Sequence, residues 1–509
     1  MISSEISRDS RVDRFFYRGG LAMQKRWKTI SLLLLVLLCG ARQILAQETG
    51  NAQQEAIREL QAKMDELRTQ LTQIQSQLDA LHGAKLPQNG SIESTPPKTP
   101  PLPQISPGHQ EEAAGRATHE HYTFSEDESD APRLFNAPLE PTYPGFFYLP
   151  NTNTMLRLDG FARTDFIYDP RFSGLGDSFL PSLLPIPAPS GPGQFATSIR
   201  GSRISADLRT PAGDWGSARA FVQFDFFGPN GTTAPRLRHF YAQLDNILVG
   251  QTFSNFMDPD AFADTLDTQG SNAAISVRVP QARYSFGIGA GWSGYLSIEA
   301  PSTNISFSVD GTPATALTPA PDGSIRVRKE WEEGHFQVAS IFRDLSVRLP
   351  DGGPQESAFG WGVNATGGLE LFQRDNIVFQ VAYGNGISRY VGDSGGLGLD
   401  VAPRSETNLS LRALPLFAPT GSYQHFWTPV LRSNLTFGFV QVQNTDFQPG
   451  TTYHKAMYTS ANVIWNPMGS LDVGAEFIWG WVQNKNGITT DAPRIQFTGR
   501  YRFVNHQAE

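Results

Sequence analysis

The sequence predicts an all-β chain, a transmembrane antiparallel β-barrel of about 16 strands, preceded by an N-terminal α-helical coiled coil. Three observations predict it. From Met155 to the end, apolar and polar residues alternate in short runs separated by Gly, Pro, Asn and Asp. Beyond the leader, no stretch reaches the roughly 18 apolar residues of a membrane helix, so any insertion must use strands. A strict heptad follows the leader.

Composition narrows the function classes. Charged residues make up 18% of the 509, below the roughly 25% of soluble domains. Hydrophobic residues reach only 39%, which excludes a bundle of membrane helices, and Gly and Phe are plentiful, as short strands with aromatic girdles require. The formal net charge of −8 argues against a general affinity for nucleic acid. The single cysteine, Cys39, lies in the leader; once that is removed, no disulfide framework and no thiolate metal site can form.

Residues 1–46 read as a secretory signal. Lys25, Arg26 and Lys28 precede an apolar run from Ile30 to Cys39, too short to span a bilayer, and cleavage is expected after Ala46. Met23 is an alternative start. Bulky Leu38 before Cys39 argues against a lipoprotein site.

Residues 50–82 read as a coiled-coil stalk. Ile57, Leu60, Met64, Leu67, Leu71, Ile74, Leu78 and Leu81 alternate spacings of three and four, with charged and amide residues between. Leu71 at a and Ile74 at d favour three or more strands. Residues 83–144 read as a linker: Pro96-Pro97, Pro100-Pro101, Pro103 and Pro107 stiffen it, and Glu111 to Asp130 is too acidic to bury a core. His119-Glu120-His121 has no further ligands at metal-site spacing, so no metal is expected there.

Residues 145–509 read as the barrel. Leu156, Leu158, Ala162, Thr164 and Phe166 oppose Arg157, Asp159, Arg163 and Asp165. Ile204, Ala206 and Leu208 oppose Arg203, Asp207 and Arg209, and Ala218, Ala220, Val222 and Phe224 oppose Arg219, Gln223 and Asp225. Charge on one face and apolar groups on the other is what a half-wet sheet needs. The segments run about ten residues, the length of a tilted membrane strand. Trp361, Trp427, Trp465, Trp479 and Trp481 fall near segment ends, where the membrane interface would lie. In the last segment Ile495, Phe497, Tyr501 and Phe503 oppose Arg494, Gln496, Thr498, Arg500 and Arg502.

Catalytic motifs are sparse. Gly289-Ala290-Gly291-Trp292-Ser293-Gly294 matches the dinucleotide pattern, but Tyr295-Leu296-Ser297-Ile298 reads as a strand rather than the helix that pattern needs. There is no His-Glu-x-x-His or Walker motif. No cofactor is expected, and the chain reads as a non-enzyme; an outer-membrane Ser/His hydrolase is a third reading, because such triads meet only in space.

Gly250-Gln-Thr-Phe-Ser-Asn-Phe-Met-Asp-Pro259, Phe262-Ala263-Asp264-Thr265-Leu266-Asp267, Phe147-Tyr148-Leu149-Pro150-Asn151-Thr152-Asn153-Thr154 and Val277-Arg278-Val279-Pro280-Gln281-Ala282-Arg283-Tyr284 together resemble the DcaP-like family of trimeric outer-membrane porins. The order signal, short coiled coil, linker, barrel is similar too, though this linker is longer and richer in Pro. The resemblance implies a homotrimer of sixteen-stranded barrels in the lipid of the bacterial outer membrane, with the coiled coil in the periplasm. It also implies uptake of dicarboxylates and other small anions.

The expected function is therefore passive diffusion of small solutes through a water-filled lumen that favours small organic anions. Because the chain is acidic overall, any anion preference must be local. The residues expected along the pathway are Arg163, Arg203, Arg209, Arg219, Arg236, Arg238, Arg278 and Arg283. Arg236 and Arg238 share the phase of Phe240, Ala242 and Leu244, so a bulge would be needed to turn them inward. The plainer reading is an Arg–Asp ladder, with Asp165, Asp207 and Asp225 stiffening the wall. The alternative function is a structural anchor whose coiled coil grips peptidoglycan.

Overall fold

The computed structural model describes residues 145–503, apart from 189, 351, 352 and 373. The leader, the heptad, the linker and His119-Glu120-His121 lie outside the described residues. No described helix is long and apolar enough to cross a membrane.

The alternating segments form sixteen antiparallel strands: β1 (Met155–Asp169), β2 (Arg203–Pro211), β3 (Ser217–Asp225), β4 (Arg236–Leu244), β5 (Ile247–Phe253), β6 (Arg278–Gly289), β7 (Trp292–Glu299), β8 (Asp322–Trp331), β9 (Gly334–Arg348), β10 (Gln355–Leu371), β11 (Asp375–Asn385), β12 (Pro415–Thr428), β13 (Leu431–Val442), β14 (Tyr453–Trp465), β15 (Leu471–Asn484) and β16 (Thr489–Arg502). Each pairs with the next, and β16 returns to β1 from Phe161↔Arg502 to Tyr168↔Ile495. Closure leaves no barrel edge unpaired, as a spanning sheet requires. Two short pieces complete β1: Phe147–Tyr148 pairs with its start and Gln194–Ser198 with its end.

Connections alternate in length. One end has tight turns, such as Asp245-Asn246 between β4 and β5. The Gly-rich motif is one of them: Ala290 (φ 50°) and Gly291 (φ 75°) form the two-residue turn between β6 and β7, with positive φ at both positions as such hairpins demand. The other end carries long loops, notably residues 170–202, 254–277, 300–321 and 386–414.

The strand faces sort as the alternation predicts. On β2, Arg203, Ser205, Asp207 and Arg209 are buried and face inward, while Ile204, Ala206 and Leu208 face out. Tryptophans form two outer belts. Trp292, Trp331, Trp427 and Trp465 stand at the tight-turn ends of their strands, and Trp479 and Trp481 lie toward the loop end of β15. The apolar core sits inside the barrel at the loop end. Phe253, Phe256, Met257 and Ile275 pack there against Ile341, Ile387, Tyr390, Val440 and Val482.

Candidate functional site

The connection from β5 to β6, residues 254–277, turns inward and follows the inner wall. Its first residues are held by β7 and β8: Ser254 Oγ and Asn255 N donate to Glu299 at 2.7 Å, and Asn255 Nδ2 donates to Ser324 at 3.2 Å. Asp258 then receives Arg328 Nη1 of β8 and His335 Nε2 of β9, each at 3.0 Å, while Asn364 of β10 donates to Phe256 O. Farther on, Asp264 accepts from Gln424 of β12 and Arg432 of β13, and its carbonyl accepts from Asn462 of β14. Leu266 O accepts from Gln496 of β16 and from Arg163 of β1. Asp267 N donates to Glu476 of β15 at 2.6 Å, and Gln380 of β11 bonds Ala273 and Ile275 on the return. One loop is thus fastened to eleven strands, β7 to β16 and β1.

Two loop carboxyls are shifted in opposite directions. Burial alone would raise Asp258, but His335 and Arg328 hold it well below the usual carboxylate range. Burial pushes Asp267 up to about 7, against the opposing pull of Arg494 and Arg163.

The eight arginines named from the sequence fall into four groups. Arg209 and Arg219 converge on Asp207, each at 3.0 Å, with Arg157 at 3.9 Å from the same carboxylate. Arg236 and Arg238 converge on Asp225 at 2.6 and 3.1 Å, and Arg203 stands directly opposite Asp225 in the ladder. Arg163 pairs with Asp165 at 3.0 Å. The fourth group lies beyond these pairs: Arg278 Nε contacts His239 at 3.3 Å, and Arg283 donates to Gln281 Oε1 and Phe253 O. The Arg–Asp ladder is therefore present along β1 to β4. The bulge needed at Arg238 is there too. Register shifts between Gln223↔His239 and Phe224↔Leu237, so Arg238 and His239 are both buried, whereas Arg236 stays half exposed.

A family model, DcaP outer membrane protein, matches residues 151–503. The chain belongs to the DcaP family. No curated protein matches the chain. Among solved structures, this DcaP-family barrel resembles the outer membrane channel DcaP of Acinetobacter baumannii, with a TM-score of 0.61 and 21% identity over 70% of this chain and 99% of that one. Salmonella typhi OmpF matches with a TM-score of 0.45 and 10% identity over 70% of this chain and 100% of that one. A loop-deletion form of Vibrio cholerae OmpT matches at 0.43 and 11%, over 69% and 100%. The likeness to the DcaP channel carries the fold, a closed sixteen-stranded antiparallel barrel, and the family model makes it that of an outer-membrane family.

Several inward cations of the DcaP-family barrel lie beyond the eight named from sequence. Arg328 and Arg432 hold the loop as described. Arg343 joins Asp322 and Asp400 at 3.1 Å each, and Arg494 bonds Asp169. Arg326 on β8 lies with its guanidinium carbon 3.7 Å from the ring centroid of Tyr295. The signal was available, since Ile325-Arg326-Val327-Arg328 alternates as β2 does. Asp258, Asp260 and His335 lie close enough to suggest a metal centre, but Arg328 already stands between the two carboxylates as their cation.

Proposed function

We propose that this chain is an outer-membrane pore for passive diffusion of small solutes, favouring small organic anions such as dicarboxylates. The closed barrel with a polar inner face and an apolar outer face supports a water-filled path. The observation that carries the anion preference is Arg283. It is buried on the inner face, and among the described residues no carboxylate lies within ion-pair distance of it. A fixed guanidinium in a low-dielectric wall raises the local concentration of anions even though the whole chain is acidic. Binding stays weak, because a solute that enters must also leave. The eight arginines named from the sequence are proposed to border this path, those on Asp207 and Asp225 chiefly as wall.

The same reading includes export by residues 1–46, a homotrimer, and residues 50–82 as a periplasmic stalk. Single-channel recording across a salt gradient tests the pore. Stepwise openings with a reversal potential on the anion side are expected. An absence of openings from correctly folded protein, or a cation-side potential, overturns the reading.

A further inference from the structure

Building on the anion-favouring reading, we propose that Arg283 and Arg326, held beside Tyr295, form a discrete anion-binding station on the inner wall that takes one carboxylate or phosphate head group. The two arginines flank β7 from either side: Arg283 of β6 stands opposite Ser297, and Arg326 of β8 stands opposite Tyr295. Positions 295 and 297 share one strand face, so both arginines start from neighbouring inward sites. Each is buried, at 4% and 6% exposure, and Arg326 is within Coulombic reach of Arg283.

Neither arginine has a carboxylate at ion-pair distance among the described residues, and the surroundings explain why. Glu299, the acid near Arg283, already accepts from Ser254, Asn255 and Ser297. Asp258 and Asp260, the acids near Arg326, are engaged by Arg328 and His335. The loop's fastening uses up the negative charge that would otherwise neutralise this wall.

The donors left over point to a ligand. Arg326 makes no hydrogen bond among the described residues: its Nε is sealed from solvent without a partner, while its two terminal nitrogens are not sealed. Arg283 commits Nε and Nη2 to Gln281 and Phe253, and its Nη1 is likewise unsealed. Tyr295 holds the Arg326 plane by a cation–π contact, so the fork is oriented before an anion arrives. Two like charges in a low-dielectric wall repel each other, and one anion bridging their free nitrogens relieves that repulsion. Carboxylates and phosphates both offer oxygens matched to the fork.

Conductance against anion concentration tests the station, with sodium acetate and inorganic phosphate as separate arms and chloride as reference. A station makes conductance saturate in at least one arm, and the arm that saturates at lower concentration identifies the head group. Arg326→Gln and Arg283→Gln should each raise the half-saturating concentration about tenfold, and Arg326→Lys, which keeps charge but loses the fork, should fall between. Unchanged saturation in Arg283→Gln or Arg326→Lys, or linear conductance of the unaltered protein in both arms, overturns the station. A reversal potential that stays on the anion side in those cases leaves the pore reading standing. One on the cation side in the unaltered protein overturns both.

Discussion

Arg209 of β2 and Arg219 of β3 face each other directly across the ladder, and the Nη2 of each lies 3.0 Å from the same oxygen, Asp207 Oδ2. Like charges directly opposite on a sheet repel. Here a single carboxylate turns the repulsion into a bridge between two strands, and Phe221 and Tyr241 add aromatic faces within 5.6 Å of Arg219.

Asp207→Asn should therefore be the most damaging single change in this part of the wall. It removes the shared partner and leaves buried guanidiniums facing one another, at a cost of about 3 kcal/mol. Arg209→Gln removes one partner and leaves the Arg219 bridge, so it should cost less. Urea unfolding in lipid vesicles, followed by tryptophan fluorescence, ranks the two; the reverse order would contradict the bridge.

Asp258→Asn should loosen the first part of the inward loop. The carboxylate joins Arg328, His335 and Thr366, and the amide cannot keep the charge-assisted bonds. Open-channel current noise is expected to rise severalfold. A variant that folds and conducts with unaltered noise would show that the loop is held by its other contacts alone.

Acid should tighten the far part of the loop. The Asp267 carboxyl is raised from 3.8 to about 7, chiefly by burial. Below the lower value, folded and unfolded forms are both protonated. Between the two, the folded form keeps a proton that the unfolded form has lost, so stability falls as pH rises, and the penalty is complete above about 7. Asp393, raised to about 6 by burial, moves the same way. Hydrogen exchange at residues 264–270, corrected for intrinsic rates, should be slower at about pH 5 than at about pH 8. Asp267→Asn should flatten much of that difference.

Replacing Arg203, Arg219 and Arg278 together by Glu should move the reversal potential toward cations and slow dicarboxylate entry. Because Arg219 also braces the wall, the double change Arg203→Glu with Arg278→Glu is the companion. It should move the potential in the same direction while keeping the Asp207 bridge. A folded, conducting double variant with the original potential would remove these two from the pathway.

Most of the wall was legible because a barrel strand is two-faced: Arg203-Ile204-Ser205-Ala206-Asp207 states which side is wet. The Arg236–Arg238 segment was ambiguous for a local reason. A bulge shifts phase by one residue, and only the partner strand shows where. The inward course of residues 254–277 was not legible. Its acids, Asp258, Asp260, Asp264 and Asp267, are visible in the sequence, but their partners stand as far along the chain as Glu476. Arg326 shares that difficulty. Its inward phase follows from alternation, whereas its lack of a carboxylate follows from where Asp258 and Asp260 are spent.

The inward loop also constrains the order of events during assembly. It is synthesised between β5 and β6, yet its anchors belong mostly to strands made later, at separations of 209 residues for Asp267–Glu476 and 230 for Leu266–Gln496. Contacts so distant along the chain form late, since long loop closures precede any reward. A lumen sealed first would have to admit this loop, with its carboxylates, through a finished cylinder. A cylinder completed around the loop avoids that passage, and the seam between β16 and β1 lies against Leu266, whose carbonyl accepts from residues of both strands.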